Sequence, residues 1–272
     1  MTVNPLFSVI EMSMFRKVTR CLPLGLACMT ACATANRLAS PAPALAADRP
    51  DFTESTETIP PGFIQAEAGY PFSSEEGNTS HSIGELLIRL PAGSRAEARI
   101  EFNSYSIENN AGSVQRGFED MEVGVKIKLI EHEERSALPN VSVLVLSTLP
   151  TGHSGIGSSA MQPGAKLALG WHLSEKLSLE SNANYSYAGE SGTRFSQWSG
   201  SASLGVEITP RFGSFIEWFG TNPVALGGGR ADYLNVGAGM GFGSSLKLDA
   251  RVGTNTRSTR DYFVGFGVSK RW

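Results

Sequence analysis

The 272-residue sequence predicts an all-β fold, an antiparallel up-and-down transmembrane β-barrel of about 12 strands, preceded by a signal peptide and a short acidic lead-in. Three observations lead there. A two-residue alternation of apolar and polar side chains runs through the chain after residue 62. Short and long connections alternate between the alternating segments, and aromatic residues gather near both ends of those segments.

The alternation is plainest from Ser94 to Ile130. Arg95, Glu97, Arg99 and Glu101 occupy one parity, against Ala96, Ala98, Ile100 and Phe102. After a polar break, Met121, Val123, Val125, Ile127 and Leu129 alternate with Asp120, Glu122, Gly124, Lys126 and Lys128. Period two puts successive side chains on opposite faces of a strand. A soluble sandwich alternates too, with its apolar face inward, so the sense of the alternation has to come from the rest of the chain.

Composition narrows the choice. A net charge of −3 and the lack of a basic stripe exclude a nucleic-acid partner. Beyond the N-terminal region no apolar run approaches the ~18 to 20 residues of a membrane helix. Residues 1–46 read as a secretory signal, with Arg16, Lys17 and Arg20 before the apolar stretch Leu22 to Ala35 and with Ala44-Leu45-Ala46 before the cut. Met14 is an alternative start, and Met29-Thr30-Ala31-Cys32 is a competing, weaker lipid-attachment reading. Cleavage after Ala46 removes Cys21, Cys28 and Cys32, which leaves no disulfide and no thiolate metal site.

Residues 47–61 form the lead-in, acidic and bounded by proline, and residues 62–272 form the barrel. Alternating segments follow at 63–72, 82–90, 94–106, 118–130, 140–149, 164–173, 176–188, 195–208, 211–221, 231–242, 245–254 and 261–272. Each is long enough, since about 9 to 11 tilted residues cross a bilayer as strand. Tight turns at 91–93, 174–175, 209–210 and 243–244 alternate with longer breaks at 73–81, 107–117, 150–163, 188–194, 222–230 and 255–260. Residues 131–135 make a connection of middling length. Outer-membrane barrels have this asymmetry, with short periplasmic turns and long external loops.

On the apolar parity, Tyr70, Phe72, Tyr185, Tyr187, Trp198, Trp218 and Tyr262 fall near the long-loop ends, and Trp171, Phe212 and Trp272 near the short-turn ends. Two girdles suit two membrane interfaces. The last strand puts Tyr262, Val264, Phe266, Val268 and Trp272 on one parity and ends on an aromatic, the form of an assembly signal for outer-membrane barrels, with Lys270 as a departure.

Particular phrases carry a resemblance. Asp48-Arg49-Pro50-Asp51-Phe52-Thr53-Glu54, Pro61-Gly62-Phe63-Ile64-Gln65, Gly117-Phe118-Glu119-Asp120-Met121-Glu122-Val123-Gly124, Leu149-Pro150-Thr151-Gly152 and the ending from Asp261 to Ser269 resemble the bacterial outer-membrane transporter family of the meta-pathway of phenol degradation. The resemblance covers the whole mature chain. It implies an outer-membrane channel, and the family's name suggests uptake of aromatic or other hydrophobic compounds. It carries over no mapped substrate site.

The residues themselves give one dense polar feature. Arg95, Glu97, Arg99, Glu101, Glu122, Lys126, Lys128, Glu180, Glu207, Glu217, Lys247, Asp249 and Arg251 take the polar parity and are the candidate lumen lining. Charge rows of mixed sign either orient a passing solute or neutralise one another in a closed lumen. Asp51, Glu54 and Glu57 of the lead-in are candidate plug residues, expected to pair with bases such as Arg95, Arg99 and Arg251. Enzymatic readings find no support. Gly152-His153-Ser154-Gly155-Ile156 misses the nucleophile elbow at Ile156. His81, His132 and His153 fall in or beside loops, and His172 takes lumen parity, so no Ser–His pair on the lipid-facing wall is apparent. No cofactor or metal is expected. The sequence thus predicts an outer-membrane channel for small molecules, with a closed structural or binding barrel as the alternative. Its expected partners are outer-membrane lipid, the assembly machinery and a small solute.

Overall fold

Strand pairing closes the chain on itself. In the computed structural model, which describes residues 45–132, 136–158, 160–190 and 192–272, β15 (Ser258–Arg271) pairs antiparallel with β1 (Gln65–Glu75) from Gln65↔Arg271 to Ser74↔Tyr262. Three of the barrel strands are interrupted. β2 (Asn78–Ile83) and β3 (Glu85–Pro91) form one strand broken at Gly84, and β4 (Ala96–Phe102) and β5 (Tyr105–Asn110) form the next. β6 (Ser113–Phe118) and β7 (Met121–Ile130) form the third. The three breaks lie side by side and are tied together at Glu119. Its carboxylate accepts hydrogen bonds from Ser82 (2.7 Å) and Ser104, and its N–H donates to the Ser104 carbonyl at 2.8 Å.

The remaining strands are continuous. They are β8 (Asn140–Leu149), β9 (Gln162–His172), β10 (Leu177–Glu190), β11 (Thr193–Thr209), β12 (Phe212–Asn222), β13 (Ala231–Phe242) and β14 (Leu246–Asn255), each paired with its sequence neighbours. Counting the three interrupted strands once each gives a closed antiparallel barrel of 12 strands. Closure leaves no edge in the membrane zone, as a strand-built membrane protein requires.

Burial settles the sense of the alternation. Ile59, Leu144, Ala168 and Ala188 are the buried hydrophobic side chains among the described residues, whereas Arg89, Glu97, Lys126, Glu217 and Asn235 are buried and polar. Val125, Ile127, Val145, Ile216, Val236 and Phe266 are exposed. An inside-out distribution of this kind is a barrel with lipid outside and polar groups within. The outward aromatics include Tyr70, Tyr187, Trp198, Trp218 and Tyr262 toward one end and Trp272 at the other.

Four expected breaks are corrected. Residues 73–81, 107–117, 188–194 and 255–260 are mostly strand, because the pairs β1–β2, β5–β6, β10–β11 and β14–β15 run on into narrow hairpins. Glu76 (φ 50°) with Gly77 (φ 84°), and Ala111 (φ 51°) with Gly112 (φ 90°), supply the two consecutive left-handed residues that a type I′ hairpin turn needs. Beyond the bilayer both faces of a hairpin meet water, so the apolar parity disappears from the sequence while the pairing continues. Of the expected breaks at 150–163 and 222–230, the described residues outside β9 and β12 are loop. The leader read over residues 1–46, with its cysteines and Met14, lies outside the described residues except for Leu45 and Ala46.

Candidate functional site

The lead-in enters the lumen and stays there. Ala46 lies at the end of the barrel that bears both barrel termini, where its carbonyl accepts from Gln65 Nε2 at 2.9 Å and Arg89 at 3.3 Å. The chain climbs past Glu67, whose carboxylate takes the N–H groups of Asp48 and Arg49 at 3.1 and 3.2 Å. It turns at Asp51 and Phe52 against the far wall. There Glu217 receives the N–H of Phe52 (3.0 Å), the N–H of Thr53 (2.7 Å) and the Thr53 hydroxyl (2.6 Å). Asn182 then pairs reciprocally with the Glu54 backbone at 2.7 and 3.0 Å, and Ser142 donates to the Thr56 carbonyl at 2.6 Å. Ile59 N–H reaches Glu97 at 2.8 Å on the return. A segment without regular structure has to satisfy its backbone with side chains, and the inner face of the wall supplies them.

Ionic contacts fix the segment further. Asp48 lies beside Arg89 (3.1 Å), Lys126 (3.0 Å) and Arg99. Glu54 meets Lys166 (2.9 Å), Arg99 (3.1 Å) and Lys126 (3.3 Å). Arg89, fully buried, also holds Glu67 and Glu97, each at 2.9 Å, and Arg99 holds Glu97 at 3.1 Å. The four carboxylates Asp48, Glu54, Glu67 and Glu97 thus face four bases, Arg89, Arg99, Lys126 and Lys166. Desolvated charge is tolerated where opposite charges and hydrogen bonds meet it, as around Asp48, while Glu54 Oε2 is met by the ionic contacts with Arg99 and Lys126 alone. At the rim, Lys128 bridges Glu57 (2.9 Å) and Glu131 (3.0 Å).

Arg49 leaves this cluster and lies against the wall. Its guanidinium covers Gly69 and Gly267, a register pair on β1 and β15, and a Cβ at either position would collide with it. It pairs with Glu85 at 3.0 Å, donates to the Phe266 carbonyl at 3.2 Å, and has Asp249 at 3.8 Å.

Two cavities flank the lead-in and share no lining residue. One, of about 470 Å³, opens at the end bearing the termini, among His172, Lys176, Glu207, Arg211 and Lys247, with Asp51 above. The other, of about 390 Å³, lies beyond Phe52 in the distal half.

Residues 47–272 match the family described as "Putative MetA-pathway of phenol degradation". The chain belongs to this family. No curated protein matches it significantly in sequence. Among solved structures it is similar to an outer membrane channel from Pseudomonas putida F1, at 15% identity and a TM-score of 0.63, over 80% of this chain and 98% of that one. It is also similar to the NanC porin, at 12% identity and a TM-score of 0.52, over 76% of this chain and 98% of the porin. At such identities these likenesses speak for the barrel fold, and the matched family region takes in the lead-in as well as the barrel.

The candidates divide by position. Glu97, Arg99, Lys126 and Glu217 contact the lead-in inside the lumen, and Lys128 does so at its edge. Glu101 and Glu122 are register partners on the inner face and touch no lead-in residue by hydrogen bond or close ion pair. Lys247 donates to the Arg49 carbonyl at 3.2 Å, and Glu180 and Glu207 line the cavity at the end bearing the termini. Asp249 lies near Arg49, and Arg251 lines the distal cavity.

Arg95 requires a correction. It precedes the first residue of β4, is exposed, and presents its carbonyl to Lys128 N–H, because the strand starts at Ala96 and not at Ser94. The expected pairing is corrected as well. Of the three named bases, Arg99 takes Glu54, while neither Arg95 nor Arg251 takes Asp51, Glu54 or Glu57. Asp51 instead accepts from Ser203 Oγ at 3.0 Å. Arg89, Glu67, Lys166 and Asp48 escape the sequence reading. Arg89 sits in Leu86-Leu87-Ile88-Arg89-Leu90, where both parities look apolar, and Lys166 is the lone charge in its strand. Glu67 does alternate with Ala66 and Ala68, which is a weak signal of an inward charge.

Proposed function

We propose that this protein is an outer-membrane channel for passive movement of small molecules, occluded at rest by its own residues 47–61. The observation that carries the reading is the lead-in itself, held across the lumen by polar contacts between two cavities that share no lining residue. A barrel built only as a rigid wall gains nothing from enclosing two solvent-sized spaces. The end bearing the barrel termini then faces the periplasm, and the narrow hairpins face outward. Lumen charges of both signs predict weak ion selectivity, since rings of one sign are what exclude the opposite ion. The family's name supports aromatic or other hydrophobic compounds as solutes.

A closed structural barrel is the second reading, favoured by the saturation of the ionic cluster around Asp48. One experiment divides the two. The mature chain and a form starting at Gly62, both confirmed as folded by heat-modifiable gel mobility, are compared in planar bilayers. The channel reading expects a small conductance that rises several-fold on truncation. Folded truncated protein without conductance refutes it.

A further inference from the structure

Inward positions of this barrel are mostly polar, and one group of inward aromatic rings stands out against them. Phe219 on β12, Tyr233 on β13 and Phe263 on β15 all point into the distal cavity, on the parity of Glu217, Asn235 and Asp261. Phe219 and Tyr233 are register partners, stacked at 4.9 Å and 16°. Phe263 reaches them across β14 because the intervening residue is Gly253, where any Cβ would collide with the Phe263 ring. Its centroid lies 5.9 Å from Phe219 and 6.2 Å from Tyr233. A fourth ring, Phe52 of the lead-in, stacks on Phe219 at 4.6 Å and 12° and forms the floor. All four rings are half-buried, with the rest of their surface turned to the cavity.

A cation completes the wall. The Arg251 guanidinium lies 5.3 Å from the Phe263 centroid. Its Nε is buried without a hydrogen-bond partner, and among the described residues no carboxylate lies within 4.0 Å of it. The bases around Asp48 are all paired, so an arginine left open in a cavity of aromatic faces is an exception that calls for a reason. The nearby Arg49 is occupied by Glu85, and Glu75 at the outer edge accepts from the Tyr233 hydroxyl at 3.2 Å.

We propose that this cavity binds a monocyclic aromatic monocarboxylate. The ring lies against Phe219, Tyr233 and Phe263 above Phe52, and the carboxylate pairs with Arg251. Aromatic faces favour a planar, offset-stacked ring over a saturated one, and an open guanidinium offers a carboxylate charge-assisted hydrogen bonds. A space of about 390 Å³ lies in the range of small-molecule sites. Glu75 disfavours a second carboxylate opposite the first. A ligand so placed touches Phe52, and therefore the lead-in. The site's role in permeation rests on the channel reading, but its occupancy does not.

The test is calorimetry on the full mature chain in detergent, with benzoate as the probe and benzyl alcohol, cyclohexanecarboxylate and phthalate as comparators. Expected is 1:1 binding of benzoate, at least tenfold tighter than any comparator. Arg251→Gln should weaken benzoate at least tenfold and leave benzyl alcohol unchanged, while Phe219→Leu should weaken both. Lack of saturable benzoate binding by the folded wild-type chain overturns the proposal. So does equal affinity for benzoate and cyclohexanecarboxylate, or an Arg251→Gln variant that binds benzoate normally. Conductance without benzoate binding removes the site and leaves the channel, and binding without conductance does the reverse.

Discussion

The two halves of the lumen solve the same problem differently. In the half nearer the termini, Arg89 is fully buried and touches Asp48, Glu67 and Glu97. In the distal half, Arg251 lies on an aromatic ring with no carboxylate within 4.0 Å among the described residues. Both arginines sit on the inner face of strands in one barrel. The difference is what fills the space in front of them. The lead-in occupies the first half and supplies Asp48, whereas in the second half it contributes only the edge formed by Phe52. A lumen is therefore not one environment. Where the chain folds into it, charge is desolvated and must be matched within the protein. Where it does not, charge stays available to something else.

Substituting each arginine tests this contrast and should give the largest effect. Arg89→Met leaves three buried carboxylates short of a partner, and breaking a buried ionic cluster in this way costs about 3 to 5 kcal/mol. Arg251→Met removes no ion pair and should stay within about 0.5 kcal/mol. Unfolding in urea from lipid vesicles measures both, and proteinase K cleavage within residues 47–61 reports whether the lead-in has come loose. Equal stabilities would mean that the cluster around Asp48 does not hold the structure together.

A second test sets the wall's outer face against its inner one. Val125, exposed toward lipid, and Glu122, facing inward, lie three residues apart on β7. Val125→Arg places a charge in the lipid-facing band, a change worth about 2 to 4 kcal/mol near the bilayer centre. Glu122→Gln keeps an acceptor on the polar side and should change stability by about 0.5 kcal/mol or less. The same unfolding assay reads both, and the reverse order would place the apolar parity in a protein core.

Most of the wall was legible for the reason this test exploits. Lipid on one side and polar groups on the other force a two-residue period, and segments such as 118–130 and 140–149 coincide closely with β7 and β8. The period fades where its cause does. Past the bilayer the hairpins of β1–β2 and β5–β6 are wet on both faces, so they read as loops, and only Gly77 and Gly112 hint at the turns. The lumen was harder still. Parity says which side chains point inward and nothing about what they meet there. Contacts such as Asp48 with Lys126, or Thr53 with Glu217, join residues far apart in sequence by way of a segment that has no period at all. Asp48 does not stand out in the sequence because its partners are set by the path of the lead-in, not by any local pattern.

A small effect is also expected at the rim, where the enclosed half of the lumen meets solvent. Lys128 contacts Glu57 at 2.9 Å and Glu131 at 3.0 Å, distances as short as those around Arg89. The side chains of Glu57 and Glu131 are 42% and 52% exposed, however, whereas those of Glu67 and Glu97 are fully buried. Water and salt screen the rim pairs, and exposed pairs are worth about 0.2 to 1 kcal/mol. Lys128→Gln should therefore cost less than about 1 kcal/mol, and raising the salt should erase most of that difference while leaving the cost of Arg89→Met nearly unchanged. Distance alone would rank the two sites as equals, so this comparison isolates burial as the variable. A Lys128→Gln cost that matches Arg89→Met and resists salt would mean that the lead-in is anchored at its exit from the barrel, and that the ionic cluster around Asp48 is not what keeps it seated.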